Sequence, residues 1–163
     1  MGPLTAFHRI PIALFWASVG ALGVAYVAEY GFGLDPCVLC LYQRVPYAAV
    51  AVLAWAAILI RRDGGRRAAL ALAGLALLIG AGIAGYHVGV EQRWWVGTAA
   101  CGGTVTSAQT VEQLMAQLQG AKPQPRCDEA AWTLFGISMA GYNVVLSLAL
   151  ALLAFGGARK GYR

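Results

Sequence analysis

At 163 residues the chain is the size of one domain, yet 60% of it is hydrophobic and only 12% charged. That balance excludes an ordinary soluble domain and requires lipid around the excess apolar surface. The net charge of +5 sits on basic residues at the ends of apolar runs, not in aromatic-interleaved patches. This excludes a nucleic-acid binder and reads as membrane topology.

The first apolar run lies between Arg9 and Glu29. At about 1.5 Å per residue it is long enough to cross a hydrocarbon core of about 30 Å. It exceeds the apolar region of about 7 to 15 residues found in a signal peptide, and no convincing A-x-A cleavage site follows it. We read residues 10–28 as a retained span. A short polar turn from Glu29 to Pro36 leads into Pro36-Cys37-Val38-Leu39-Cys40-Leu41-Tyr42-Gln43-Arg44. The second span, 41–60, reaches a plausible length if Arg44 snorkels or points into the bundle. Pro46 crowds the Tyr42 carbonyl, a kink that membrane helices tolerate.

Arg61 to Arg67 reads as a tight basic connector, and 68–90 as a third span rich in Ala and Gly. Its Gly85-x-x-x-Gly89 pattern is a weak match to a helix-approach motif, and general packing explains it. Residues 91–130 turn polar and hold Cys101 and Cys127. Within them Thr110 to Leu118 fits a short amphipathic helix. Thr110 and Gln113 form a capping box, and Val111, Leu114, Met115 and Leu118 form a stripe suited to the membrane surface or the bundle end. The fourth span, 131–157, precedes Arg159, Lys160 and Arg163.

Eight basic residues (Arg9, four arginines of the connector, three in the tail) fall on one side, against Arg44, Arg93, Lys122 and Arg126 on the other. The positive-inside rule then predicts cytoplasmic termini. The expected architecture is an all-α membrane protein, a single domain over 1–163. It is a four-transmembrane-helix bundle with two outer loops, 29–40 and 91–130. All four cysteines share the outer side, which in a bacterial inner membrane is the periplasm, where disulfides persist.

Two cysteine pairs facing one compartment leave three chemistries. In the first, both pairs are structural staples, but a C-x-x-C bridge closes too short a loop to constrain much chain entropy. Four thiolates can also build a tetrahedral zinc site, although Cys101 and Cys127 lack zinc-knuckle spacing. Haem attachment is excluded, since Leu41 rather than His follows Cys40. The third chemistry is thiol–disulfide exchange. Two residues between cysteines let one thiol attack the other's disulfide, and a following helix N-terminus lowers the thiolate pKa. Arg44, one turn beyond Cys40, is placed to reach both its thiolate and an anionic acceptor. An acceptor at this apolar bundle mouth must be lipid-soluble and take two electrons, which points to a quinone; no haem, flavin or iron–sulfur motif competes.

Cys37-Val38-Leu39-Cys40 followed by Arg44, with Cys101 and Cys127 in the second outer loop and four spans in order, strongly resembles the DsbB family of bacterial disulfide-forming membrane proteins. The resemblance covers essentially the whole chain. The related vitamin K epoxide reductase proteins place the loop cysteines before the C-x-x-C pair, so chain order separates them. The resemblance implies a thiol:quinone oxidoreductase of the inner membrane, with ubiquinone or menaquinone as cofactor, drawing on the membrane quinone pool. A periplasmic DsbA-like thioredoxin-fold partner attacks Cys101, the freed Cys127 attacks Cys37, and the displaced Cys40 thiolate forms a charge-transfer contact with a quinone near Arg44. His87 sits where the family has a histidine near the quinone, and Trp132 and Met139 are similarly placed. The resemblance implies no metal and no nucleic acid. The alternative from another class is a non-catalytic membrane protein with structural disulfides or a cysteine metal site.

Overall fold

The computed structural model describes residues 3–98, 101, 111, 115 and 125–159. The expected amphipathic segment 110–118 lies mostly outside them. Among the described residues there are four long helices: α1 Pro3–Tyr26, α2 Val38–Leu59, α3 Asp63–Glu91 and α4 Met139–Arg159. All four are long and apolar enough to cross a membrane. Helix formation is the only way these runs satisfy every backbone donor and acceptor within lipid. The four-transmembrane-helix bundle expected from the sequence is therefore the observed architecture.

Helix α3 is central, packing on α2 along one side and on α4 along another, while α1 lies chiefly against α2. Small residues allow this. Ala54, Ala57, Ala69, Ala73, Ala151 and Ala154 interleave with Leu14, Val50, Leu70, Leu77 and Leu150 in one buried core. Two glycines of α3 show the close approach. A Cβ at Gly74 would meet the Phe155 ring at 2.8 Å, and one at Gly80 would meet Pro46 at 3.1 Å. Gly80 thus makes room for the proline, and α2 runs through Pro46 unbroken. Of the Gly85-x-x-x-Gly89 pair, Gly85 faces open space and Gly89 receives the Trp95 indole, so neither serves a helix crossing. Outward-facing Trp16, Val24, Val52 and Leu152 are each more than 60% exposed, as lipid-facing side chains of a membrane bundle are.

Three boundaries differ from the sequence reading. Helix α2 begins at Val38, so the cysteine motif is already its first turn. Helix α3 begins at Asp63, which takes Gly64 to Arg67 of the expected connector into the helix. The fourth span was expected from 131, but α4 begins only at Met139. Before it β1 Thr133–Leu134 and β2 Ile137–Ser138 form an antiparallel hairpin. Phe135 and Gly136 at its tip have φ of 51° and 78°, the paired positive values of a type I′ turn. Apolar composition continues through the hairpin, so composition alone extends the helix too far.

After Tyr26, α1 passes into a π-helical turn, Val27–Gly31, and Gly33 at φ 67° reverses the chain toward Cys37. The wider turn carries Glu29 round to face α2.

The α3–α4 contact should govern stability. Gly74→Val puts a branched side chain into the Phe155 ring, an overpacking expected to cost about 1 to 3 kcal/mol. Thermal unfolding in detergent micelles should show the loss, and Phe155→Ala in the same chain should recover part of it. Unchanged stability in Gly74→Val would mean that the two helices are not held in contact here.

Candidate redox site

Asp35 and Pro36 bring the chain in extended, because proline disfavours helical backbone in the residue before it. Cys37 is the N-cap of α2, with φ −71° and ψ 168°, and its sulfur accepts the Cys40 amide at 3.4 Å. This cap sets the Cys37 and Cys40 sulfurs 3.2 Å apart, both as free thiols. The Cys40 thiol hydrogen-bonded to it holds the Cys37 thiol well below the usual thiol range. Burial opposes that shift, and the His87 imidazole and the Cys40 amide reinforce it. The neighbouring groups therefore favour the Cys37 thiolate over the thiol.

Cys101 and Cys127 are joined in a disulfide with Cα atoms 5.1 Å apart, closing 26 residues of loop. Gly97 permits this, since a Cβ there would come within 2.8 Å of the Cys101 Cβ. Thr98 adds a hydroxyl 3.4 Å from the Cys101 sulfur and a carbonyl that accepts the Cys101 amide at 2.7 Å. The two pairs are not separate sites. Cys37, Cys101 and Cys127 are buried together with Leu39 and Val90, and Cys40 packs against them.

His87 comes up from α3 with Nε2 3.5 Å from the Cys37 sulfur and Nδ1 2.8 Å from Gln43 Nε2. Glu91, one turn further, has a carboxylate oxygen 3.8 Å from Nε2 and accepts the Ser138 hydroxyl at 2.5 Å. The hairpin is thereby pinned to α3 above the cysteines. Trp132 and Met139 join Cys37, Cys40, His87 and Glu91 around a cavity of about 40 Å³. A larger cavity of about 510 Å³ opens beside Cys101 and is lined by Val90, Trp95, Gly97 and Arg126.

Arg44 lies one turn beyond Cys40, as the spacing requires, but its Nη1 donates to Glu29 at 2.5 Å and its guanidinium covers the Tyr26 ring at 4.8 Å. Glu29 thus fixes the cation at the mouth between α1 and α2. Both side chains are partly open, at 15% and 18% exposed. Leu41, Val45 and Tyr26, all exposed, make the surface around this cation apolar.

The sequence reading brought together Cys37, Cys40, His87, Cys101, Cys127, Trp132 and Met139, and the fold gathers all of them at one end of the bundle. It missed Glu29, Gln43 and Asn143. Their signal was available, because polar groups at or within membrane spans must find partners there. Cys101 and Cys127, joined to each other, offer no free thiolate in this structure. Among the described residues, Cys37, Cys40 and His87 bring their sulfur and ring-nitrogen atoms within 4.8 Å of one another.

The family model for disulfide bond formation protein DsbB matches residues 8–156. Disulfide bond formation protein B 2 of Pseudomonas syringae is 34% identical over 84% of this chain and 79% of its own length. Disulfide bond formation protein B of Xanthomonas campestris is 34% identical over 86% of this chain and 83% of its own length. That of Xanthomonas oryzae is 31% identical over the whole chain and 97% of its own length. No solved structure matches. With lipid-length helices and paired cysteines gathered at one end, this multi-pass membrane chain belongs to the DsbB family of disulfide bond formation proteins, and is an oxidoreductase of that process.

Proposed function

We propose that the chain is a thiol:quinone oxidoreductase that reoxidises a periplasmic DsbA-like thioredoxin-fold protein. It does so from the bacterial inner membrane with its cysteines facing the periplasm, as one domain over 1–163. The observation that carries this reading is the common burial of Cys37, Cys101 and Cys127. Two inert staples have no need to share one cluster, whereas exchange between pairs requires sulfur to reach sulfur.

The chemistry balances in four exchanges. A donor thiolate attacks Cys101, breaks the Cys101–Cys127 bond and frees the Cys127 thiolate; the donor's second thiol then displaces Cys101 and leaves oxidised. The Cys127 thiolate attacks Cys37 of an oxidised Cys37–Cys40 pair, and Cys40 departs as thiolate. Cys101 then closes on Cys127, leaving Cys37 and Cys40 as the dithiol. The quinone, ubiquinone or menaquinone, supplies an acceptor for that dithiol's two electrons and two protons. Arg44, held by Glu29, would bind its oxygen and stabilise negative charge on Cys40, while His87 presents its ring to Cys37. Burial around Leu39 and Val90 excludes water from the exchanging sulfurs.

The relay is tested by removing its resolving thiol. Cys127→Ser removes the bond that the donor thiolate attacks, so turnover should stop and the donor should stay reduced on non-reducing gels of alkylated protein. Normal turnover in that variant would make the second pair a staple.

Topology is tested with a membrane-impermeant thiol reagent on reduced protein in intact cells whose outer membrane has been opened. Cys101 and Cys127 should label without opening the inner membrane. Labelling only afterwards would reverse the assignment of sides and remove the periplasmic donor.

Arg44 should matter to the acceptor and not to the donor. A charge-assisted hydrogen bond in a partly desolvated site is worth about 1.5 to 3 kcal/mol. At about 1.4 kcal/mol per tenfold, Arg44→Met should weaken quinone use roughly tenfold to a hundredfold. Arg44→Lys should restore only part, since an ammonium lacks the planar fork. Steady-state kinetics with varied quinone would show it, and unchanged quinone KM and kcat in Arg44→Met would remove this residue from the site.

A further inference from the structure

Beside the cysteines, a set of polar side chains runs down into the apolar bundle. Gln43 and Tyr47 come from α2, His87 from α3, and Asn143 and Ser147 from α4. Gln43, Tyr47, His87 and Ser147 are each at least nine-tenths buried. A polar group in such surroundings is costly to leave unpaired, so the direction of each hydrogen bond is constrained by its neighbours.

One end of the set has no freedom. The Leu39 carbonyl only accepts, so the Gln43 atom 3.3 Å from it must be the amide nitrogen. That nitrogen is also 2.8 Å from His87 Nδ1 and has a second hydrogen to give. Nδ1 must then accept. The ring proton is left on Nε2, the atom 3.5 Å from the Cys37 sulfur. The other end locks the same orientation. Asn143 donates its amide to Gln43 Oε1, and the Asn143 oxygen accepts the Tyr47 hydroxyl at 2.5 Å and the Ser147 hydroxyl at 3.2 Å. Every donor in the series points toward the sulfur.

We infer that Gln43, oriented by Asn143, is a positioning residue that keeps the proton of His87 on Nε2 and so makes the imidazole a hydrogen-bond donor to Cys37. The inference rests on the proposed relay for its use, because Cys37 is the sulfur through which the two pairs exchange. A donor fixed on Cys37 steadies negative charge there each time that sulfur is released. The other groups facing Cys37 are Cys40 on its own helix and Glu91 on α3. Asp35, Arg126 and Glu129 from the loops line the same small cavity.

The test reads the tautomer directly. His8 is the one other histidine in the chain, so His8→Asn leaves His87 alone for ring-nitrogen NMR of histidine-labelled protein in micelles. The expected spectrum shows a protonated Nε2 and an unprotonated Nδ1. Gln43→Glu, close to isosteric, replaces the amide donor with an acceptor and should move a proton to Nδ1. Gln43→Leu should remove the single-tautomer signature. In a Cys101→Ser, Cys127→Ser background it should also raise the pH midpoint of Cys37 thiolate absorbance by about one unit, a tenfold change. A protonated Nδ1 in the parent protein, or a spectrum indifferent to Gln43→Glu, would overturn the inference. These measurements need neither quinone nor donor protein. Failure of the oxidoreductase reading would therefore show elsewhere, in turnover, with the tautomer unchanged.

Discussion

Within a bilayer, water cannot satisfy a polar group, and the structure follows from that constraint. The backbone answers it with four helices. Side chains answer it with contacts that tie those helices together: Tyr47 of α2 to Asn143 and Ser147 of α4, Gln43 of α2 to His87 of α3, and Arg44 of α2 to Glu29 beyond α1. The same bonds that relieve buried polarity set the angle of α2, and α2 carries the C-x-x-C pair on its first turn. Stability and site geometry are thus two results of one requirement.

Small residues make the arrangement possible from the other direction. Lipid tails are as apolar as leucine, so helices in a membrane associate through close packing rather than hydrophobic burial. Gly74 admits Phe155 and Gly97 admits Cys101 at distances a Cβ would not allow, and Gly80 admits Pro46 where a Cβ would be crowded. The first two bring the helices together. The third brings the loop disulfide down onto them, beside Val90 and Leu39.

Much of this was legible in the sequence, and what was not has physical causes. The four helices were readable because a run of twenty apolar residues has few other uses. The cysteines and Arg44 were readable because thiols two residues apart, with a cation one turn on, carry chemistry in their spacing. The hairpin at Thr133 to Ser138 was missed, because its composition matches the helix that follows and only Phe135-Gly136 marks the turn. The roles of Gln43 and Asn143 were hidden for a different reason. Exactly one hundred positions separate them, and nothing local to either announces the other. Glu29 was seen only as the end of an apolar run, since a π turn that redirects its side chain leaves no periodic trace.

Burial of the sulfurs has a consequence for fidelity. Cys37, Cys101 and Cys127 are 5%, 4% and 0% exposed. A chain of exchangeable disulfides open to solvent would be drained by any small thiol nearby and would scatter electrons without producing oxidised partner. Here Cys37 and Cys127 are enclosed by protein, while Cys101 borders the larger cavity beside Trp95 and Gly97. In the proposed relay a donor would meet Cys101 first, so the shape of that opening, and not the intrinsic reactivity of the thiols alone, would set which reductants enter. The closed surface over the cysteines acts as electrical insulation around a wire with one intended contact.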